Sequence, residues 1–437
     1  MIRLKLGIPA SGKTQTSMNE VAREVRSGGR VLWLTPLKSE VKRVAEEFVR
    51  IYGVPIEKIY PIPSKLDVCP VIRNMKDIYH IILGIATCLA CKHKTCVFKT
   101  FIQKAVNKDV EGLFIATHKF LWLGLFFKKM YIDEIDFLIP DMFELLPRKK
   151  VETLIRAIEK VFGTKIANRL KKKFLVEIDD KTFVFKGIYP FRYFYNHRDL
   201  IGISATLRYG SDIMAQLFGF DTMMDLAEAI DDGAIYFYLD VLPTPSKLDF
   251  FYILRFRNYW TSYWTKKWYI KLKNNVKQDI RHGYTVTVIA RSKREAIILD
   301  SIFKREGLSP LVERINWTLR NYDGWKRNNL RIIITRGLFH RALNIESDKI
   351  YAFYQHLYPK EKQRQVGKLR PVWGDMAEEI VAFDEYRSHV QTIFRCARKR
   401  TSRHEFYLLD SKYDEALMYF DHIYDFTKKR TTYITSL

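Results

Sequence analysis

Cysteines and acidic residues are scarce in this chain of 437 residues. It has only 5 cysteines, and four of them lie within residues 69–96, so a secreted disulfide scaffold is excluded. The 49 acidic residues face 74 lysines and arginines, which gives a formal net charge of +25. This excess of positive charge favours a polyanionic partner, with nucleic acid as the first candidate. A basic surface that only keeps the protein soluble has the same composition.

Long apolar runs are also missing. The longest, residues 120–127, is far shorter than the roughly 20 residues that cross a bilayer, so the sequence predicts no membrane-spanning helix. The first residues have the pattern of a core strand, which leaves no room for a signal peptide. We therefore expect an intracellular, cytoplasmic protein that is not secreted.

A glycine-rich segment, GIPASGKT at residues 7–14, stands between an apolar strand pattern and a helical pattern. In this context the segment predicts a P-loop, whose backbone N–H groups and helix N-terminus point at phosphate oxygens. Lys13 is expected to reach the β- and γ-phosphates, and Thr14 to hold Mg²⁺ through its hydroxyl. The predicted nucleotide-binding residues are Gly7, Ala10, Ser11, Gly12, Lys13, Thr14 and Gln15.

Two further strand patterns end in residues that complete such a site. Asp133 and Glu134 follow an apolar strand, as in P-loop ATPases, where the aspartate coordinates Mg²⁺ and the glutamate polarises the attacking water. Ser204 and Thr206 follow another strand, and their hydroxyls are suited to hydrogen bonding with the Asp-Glu pair. We expect these hydroxyls to relay the state of the γ-phosphate to the rest of the protein.

The remaining patterns follow a βα rhythm, which predicts parallel sheets. A strand predicted at residues 30–34 is followed by Thr35, Lys38 and Ser39. These residues either hold phosphates or form an ordinary strand-to-helix cap. The rhythm resumes in the second half with strands predicted at residues 285–290, 331–335 and 349–354, and a helix at 386–400. The sequence thus predicts two α/β domains, residues 1–235 and 236–437.

The clustered cysteines are Cys69, Cys88, Cys91 and Cys96. Four thiolates this close together in an intracellular chain are usually metal ligands. An iron-sulfur cluster is the first hypothesis and structural zinc the second, since spacing does not select the metal. His93, between two of the cysteines, is a candidate to replace one of them.

The motifs follow the order found in superfamily 2 helicases and most closely resemble those of the XPD/DinG family of iron-sulfur DNA helicases. The segments similar to Walker A and to motifs Ia, II, III, V and VI are residues 7–14, 35–39, 133–136, 204–206, 335–344 and 391–398. The cysteines fall between motifs Ia and II, where this family carries its cluster. Asp136 stands where the family usually has histidine, and Ala342 and Phe394 stand at positions that are commonly glycine.

This resemblance implies two RecA-like parallel-sheet domains, with two insertions in the first. One is a cysteine-rich metal-cluster insertion at residues 60–110, and the other is a small helical, reduced arch-like insertion at residues 138–198. The implied cofactors are ATP, Mg²⁺ and a 4Fe-4S cluster, with Zn²⁺ as the alternative. The implied roles are catalysis for Lys13, Asp133, Glu134, Gln391, Arg395 and Arg398; nucleotide contact for Asn344; nucleic-acid contact for Thr35, Lys38, Thr117, His118 and Arg291; and coupling for Ser204, Thr206, Thr335 and Arg341.

The activity implied by the resemblance is ATP-dependent DNA unwinding with 5′ to 3′ movement on single-stranded or forked DNA. One alternative is a nucleic-acid-stimulated translocase that remodels nucleoprotein without separating strands. Another is an RNA helicase, which RNA would stimulate more strongly than DNA. The sequence does not identify protein partners.

Overall fold

The structure is a computed structural model of the chain. It describes residues 1–7, 12–69, 96–138, 143–149, 175–180, 182–186, 199–207, 212–218, 220, 222–233, 236–241, 252–253, 262–290, 292–313, 328–334, 345–352, 359–396, 405–408, 422–425 and 430–433, with scattered positions between 151 and 172. The chain divides into two compact units. The first contains residues 1–7, 12–242 and 360–381, and the second contains residues 243–359 and 382–437.

The first unit is built on a seven-stranded sheet. The strands of this unit are β1 (Ile2–Leu6), β2 (Arg30–Thr35), β3 (Ile59–Pro61), β4 (Gly112–Thr117), β5 (Lys129–Asp133), β6 (Phe143–Pro147), β7 (Leu175–Asp179), β8 (Thr182–Lys186), β9 (Asp199–Ser204) and β10 (Phe237–Val241). Seven of them form one sheet in the order β10-β1-β9-β5-β2-β4-β3, and every pairing in it is parallel. Continuous apolar strands such as β2 suit a parallel sheet, because both of its faces are covered.

Helices flank this sheet. They are α1 (Lys13–Arg26), α2 (Lys38–Arg50), α3 (Lys65–Val68), α4 (Val97–Val106), α5 (Asp212–Leu217) and α6 (Met223–Asp231), with 3-10 helices at Ile56–Lys58, His118–Phe126 and Ile135–Phe137. The core centres on Trp33, which stacks on Tyr131 with ring centroids 5.6 Å apart and meets Phe48 edge-on at 5.8 Å. This packing fixes β2, β5 and α2 relative to one another.

The first unit differs from the predictions at its boundary and in its second insertion. Strand β10 pairs with β1, so the first unit extends past residue 235 to residue 242. In the predicted helical insertion, β6, β8 and β7 form a small antiparallel sheet.

The second unit contains another parallel sheet. Its strands are β11 (Tyr252–Ile253), β12 (Val286–Ala290), β13 (Leu311–Val312), β14 (Leu330–Ile334), β15 (Lys349–Ala352), β16 (Glu405–Leu408), β17 (His422–Asp425) and β18 (Arg430–Tyr433). Five of these form a parallel sheet in the order β13-β14-β12-β15-β16, and the other three form a small sheet in the order β11-β17-β18. The two parallel sheets confirm the predicted α/β class.

Four helices complete the described part of the fold. They are α7 (Ser262–Arg281), α8 (Lys293–Arg305), α9 (Pro359–Trp373) and α10 (Met376–Arg395). Helix α10 begins earlier than the helix predicted at residues 386–400 and ends at Arg395. Most of α9 and the start of α10 group with the first unit. Across the described ranges, no helix is both long enough and apolar enough to cross a membrane.

Candidate active site

The carboxyl edge of the first sheet collects the residues predicted to bind nucleotide. Strand register aligns Thr35 with Thr117, Asp133 with Ile203, and Leu6 with Ser204. Because all these strands are parallel, their carboxyl ends meet at one edge. The segments that follow β1, β2, β4, β5 and β9 therefore start from a common edge, where ligands bind in open α/β sheets.

The predicted P-loop residues lie where β1 passes into α1. Gly12 precedes the helix with φ 90° and ψ 7°, a left-handed conformation that glycine adopts without steric cost. The Lys13 Nζ donates to the Gly7 carbonyl at 2.6 Å, and its side chain is buried. Gln15 is exposed on the first turn of α1. Gly12 and Lys13 thus lie at the N-terminus of α1, and phosphate binding by these residues stays a prediction.

The two predicted Mg²⁺ ligands are in contact. The Thr14 Oγ1 donates to the Asp133 Oδ1 at 3.1 Å, although the residues are 119 positions apart in the sequence. A hydroxyl and a carboxylate oxygen are hard donors of the kind that Mg²⁺ prefers. The donor set at this edge therefore fits a magnesium ion.

Glu134, the predicted catalytic residue, has an unusual backbone. Its φ of 51° and ψ of 54° place it in the left-handed region, which is costly for a residue with a side chain. The next residue, Ile135, packs against Gly202 of β9, where a Cβ atom would lie 2.6 Å from the Ile135 Cδ1. Because Gly202 has no side chain, the Ile135 side chain fits against β9. Strained backbone of this kind is concentrated at functional sites.

The predicted coupling residues contact motif II at its last position. The Ser204 Oγ donates to the Asp136 Oδ1 at 2.8 Å, and the Thr206 Oγ1 donates to the Asp136 Oδ2 at 2.7 Å. The Ser204 Oγ also accepts from the Thr206 and Leu207 N–H groups. We expected bonds to the Asp-Glu pair itself. In the structure these hydrogen bonds go to Asp136 instead. The available signal in the sequence was its departure from the histidine usual at that position.

The predicted nucleic-acid contacts divide into two groups. Lys38 is exposed and forms an ion pair with Asp67, and Thr117 is half-buried at the start of the His118–Phe126 helix. Thr35 and His118 are buried, which corrects the expectation that their side chains face a ligand. The Thr35 hydroxyl donates to Glu40 at 2.6 Å. Their burial therefore removes Thr35 and His118 from the predicted nucleic-acid contacts.

Only the two outer cysteines of the predicted cluster are described. Cys69 follows α3, Cys96 precedes α4, and both are buried. Helices α3 and α4, which flank these two cysteines, contact each other. Among the residues that the structure describes, no group of three or more His, Cys, Asp or Glu is arranged to hold a metal. The metal cluster stays a prediction.

In the second unit, α10 carries the predicted motif VI. Gln391 is buried on this helix, and Arg395 is its last residue. Burial raises the pKa of the Cys396 thiol to about 12, an effect partly offset by Arg331 and by a hydrogen bond with Thr287. The site residues outside the described ranges are Ala10, Ser11, Cys88, Cys91, Arg291, Thr335, Arg341, Asn344 and Arg398.

Sequence reasoning missed a buried polar link between α1 and the sheet. The Lys5 Nζ donates to the Glu20 Oε1 at 2.6 Å, and the Tyr131 hydroxyl donates to the Glu20 Oε2 at 3.2 Å. Burial and the neighbouring Glu20 raise the pKa of Tyr131, so its hydroxyl stays protonated. The lysine within the apolar strand β1 was the available signal. This link holds the P-loop helix against β1 and β5.

Comparison with solved structures finds this architecture in Xpd4 of S. tokodaii, which is 12% identical, covers 95% of this chain and 93% of its own, and has a TM-score of 0.52. An XPD helicase is 11% identical over 92% of this chain and 95% of its own, with a TM-score of 0.44. A DEAD box protein from the hyperthermophile Methanococcus jannaschii is 12% identical, covers 95% of this chain and 84% of its own, and has a TM-score of 0.40. No protein-family model and no curated protein matches the chain. The likeness to Xpd4 shows a shared α/β fold, and it shows the fold alone.

Proposed function

We propose that this chain is an ATP-dependent DNA helicase that moves 5′ to 3′ on single-stranded DNA. The observation that carries the proposal is the contact between Thr14 and Asp133, 3.1 Å apart at the carboxyl edge of a RecA-like sheet. A P-loop hydroxyl beside a strand-end aspartate is the arrangement that binds Mg²⁺ and nucleoside triphosphate.

The residues at this edge have separate roles in the proposed reaction. Lys13 binds the β- and γ-phosphates, and Thr14 and Asp133 would hold Mg²⁺, which neutralises phosphate charge when bound. Glu134 orients the attacking water and accepts its proton. Asp136, held by Ser204 and Thr206, links the turn after β5 to the end of β9. A change at the reacting phosphate is thereby passed to a second strand.

Nucleic acid is the proposed partner because of the charge of the chain. A formal net charge of +25 favours a phosphate backbone. Lys38, exposed at the start of α2, would contact a phosphate in exchange for its ion pair with Asp67. The likeness to Xpd4 supports the fold on which the proposal depends.

The test is unwinding of matched duplexes that carry either a 5′ or a 3′ single-stranded tail, with ATP and Mg²⁺. The proposal predicts that the 5′-tailed duplex opens, that the 3′-tailed duplex does not, and that Lys13→Ala opens neither. A matched control is Lys362→Ala, which removes an exposed lysine from α9. If ATP is hydrolysed and neither duplex opens, the helicase proposal is wrong and the chain is better described as a translocase.

A further inference from the structure

His118 makes a buried hydrogen bond to the residue predicted to bind Mg²⁺. Its Nε2 lies 2.7 Å from the main-chain carbonyl oxygen of Asp133, and the two side chains are 5% and 8% exposed. A carbonyl oxygen only accepts hydrogen bonds, so the Nε2 must carry the proton in this contact. The imidazole thus holds the backbone of Asp133 at the point where β5 ends.

This bond joins two strands that are not neighbours in the sheet. Strand β2 lies between β4 and β5, and Thr35 at its end is aligned with Thr117, the residue before His118. Because the Thr35 hydroxyl donates to Glu40, it does not compete for the Asp133 carbonyl. His118 therefore connects the ends of β4 and β5, two strands that are not hydrogen-bonded to each other within the sheet.

The helix that begins at His118 is itself anchored. At its far end, Arg30 donates to the carbonyls of Phe126 and Ala105, and so joins this helix to the end of α4. The Arg30 guanidinium also lies 4.0 Å from the centroid of the Phe127 ring. Near the other end, α4 contacts the helix through the rings of Phe98 and Phe120, 6.0 Å apart. The His118 backbone is thus fixed by contacts along the whole helix.

We infer that His118 is a positioning residue that sets the Mg²⁺ affinity of the site by fixing Asp133. The inference rests on the proposed function, because it requires that Thr14 and Asp133 hold Mg²⁺ with a nucleotide. Without the His118 hydrogen bond, the end of β5 becomes more mobile, and the Asp133 carboxylate is no longer held beside the Thr14 hydroxyl. Residues that orient a metal ligand typically contribute about 10- to 100-fold to metal affinity.

The experiment is equilibrium binding of a fluorescent, non-hydrolysable ATP analogue, titrated with Mg²⁺ and repeated in EDTA. His118→Phe keeps a ring but has no donor, and is expected to raise the Mg²⁺ concentration for half-maximal binding about tenfold. His118→Gln supplies an amide N–H donor and should restore most of the affinity. His282→Phe, the same change at an exposed histidine after α7, should leave the titration unchanged. Binding in EDTA should stay the same in all of these proteins.

The outcomes separate this inference from the proposed function. An unchanged Mg²⁺ titration in His118→Phe would overturn the positioning role. So would equal loss of binding with and without Mg²⁺, because that result indicates general disruption of the fold. If the wild-type chain binds the analogue with no dependence on Mg²⁺, the proposed function itself fails, whatever the variants do.

Discussion

Buried polar residues lie at the carboxyl edge of the first parallel sheet and at the amino edge of the second. In the first sheet, Asp133, Asp136 and Ser204 lie at or just beyond the carboxyl ends of β5 and β9. In the second sheet, Arg331 lies near the start of β14 and Ser347 just before β15, while the buried Glu313 lies just beyond the carboxyl end of β13. The residues at these two edges differ in what they contact.

The partners of these residues explain the difference. At the amino edge of the second sheet, the Arg331 guanidinium donates to the carbonyls of Asn328 and Glu346, and the Thr287 and Ser347 hydroxyls bond at 2.6 Å. The Ser347 N–H donates to the Cys396 carbonyl, which fixes the end of α10. At the carboxyl edge of the first sheet, a lysine, a hydroxyl and carboxylates converge instead. The contacts at the amino edge of the second sheet stabilise the fold, whereas the groups at the carboxyl edge of the first sheet are suited to binding a charged ligand.

The largest effect is expected from Glu134→Gln at the carboxyl edge. The amide keeps the size of the side chain but cannot accept a proton, so the rate of ATP hydrolysis should fall by about 100- to 10,000-fold. Steady-state phosphate release measures this, with Glu306→Gln in the second unit as the control. Turnover near the wild-type rate would remove Glu134 from the proposed mechanism.

The double change Ser204→Ala and Thr206→Val should have the next largest effect. It removes two hydroxyl donors to the buried Asp136 carboxylate. Hydrogen bonds to a charged group contribute about 1.5–3 kcal/mol each, so the free energy of unfolding of the first unit should fall by roughly 3 kcal/mol or more. Urea unfolding measures the loss, and Thr206→Ser, which keeps a hydroxyl, should recover part of it. A change well below 1 kcal/mol would contradict the account.

At the amino edge of the second sheet, Thr287→Val should affect stability alone. The change keeps the side-chain shape and removes the 2.6 Å bond to Ser347. We expect a loss of about 1 kcal/mol in the free energy of unfolding, with ATP hydrolysis by the folded protein unchanged. A selective loss of hydrolysis in a stable Thr287→Val protein would break the contrast between the two edges.

The smallest effect is a pH dependence from Cys396. Its pKa is about 12 in the folded protein, above the ordinary value of 9.0, so its stabilising contribution is complete below about pH 9 and is lost as the pH rises towards 12. The free energy of unfolding of the wild type, relative to that of Cys396→Ala, should therefore fall above about pH 9, by up to about 1.4 kcal/mol per pH unit. Urea unfolding from about pH 8 to about pH 10 tests this. A constant difference between the two proteins would contradict a buried, protonated thiol.

The sequence predicts the carboxyl edge of the first sheet well because its signals are local. Apolar runs that end in Gly7, Asp133 and Ser204 identify strands whose ends meet at one edge once the sheet is parallel. The contact of Asp136 with Ser204 is different, because the residues are 68 positions apart and nothing local selects the partner. For this reason the coupling hydroxyls were predicted at the correct strand end but with the wrong carboxylate.

Burial was the feature that local patterns predicted least well. Thr117 ends β4 and His118 follows it directly, yet the first is half-buried and the second is buried against Asp133. That difference depends on the 3-10 helix that begins at His118 and on its packing against α4. Likewise, β10 extends the first sheet because it pairs with β1, a contact between opposite ends of the unit that the βα rhythm does not encode.

The most direct test of the central claim is steady-state ATP hydrolysis with Mg²⁺, measured with and without single-stranded DNA for the wild type and for Lys13→Ala. The account predicts hydrolysis that DNA stimulates in the wild type and that is abolished in the variant, because it proposes that Lys13 binds the phosphates at the carboxyl edge. Equal hydrolysis by the two proteins, or no hydrolysis by a folded wild type under any of these conditions, would contradict it.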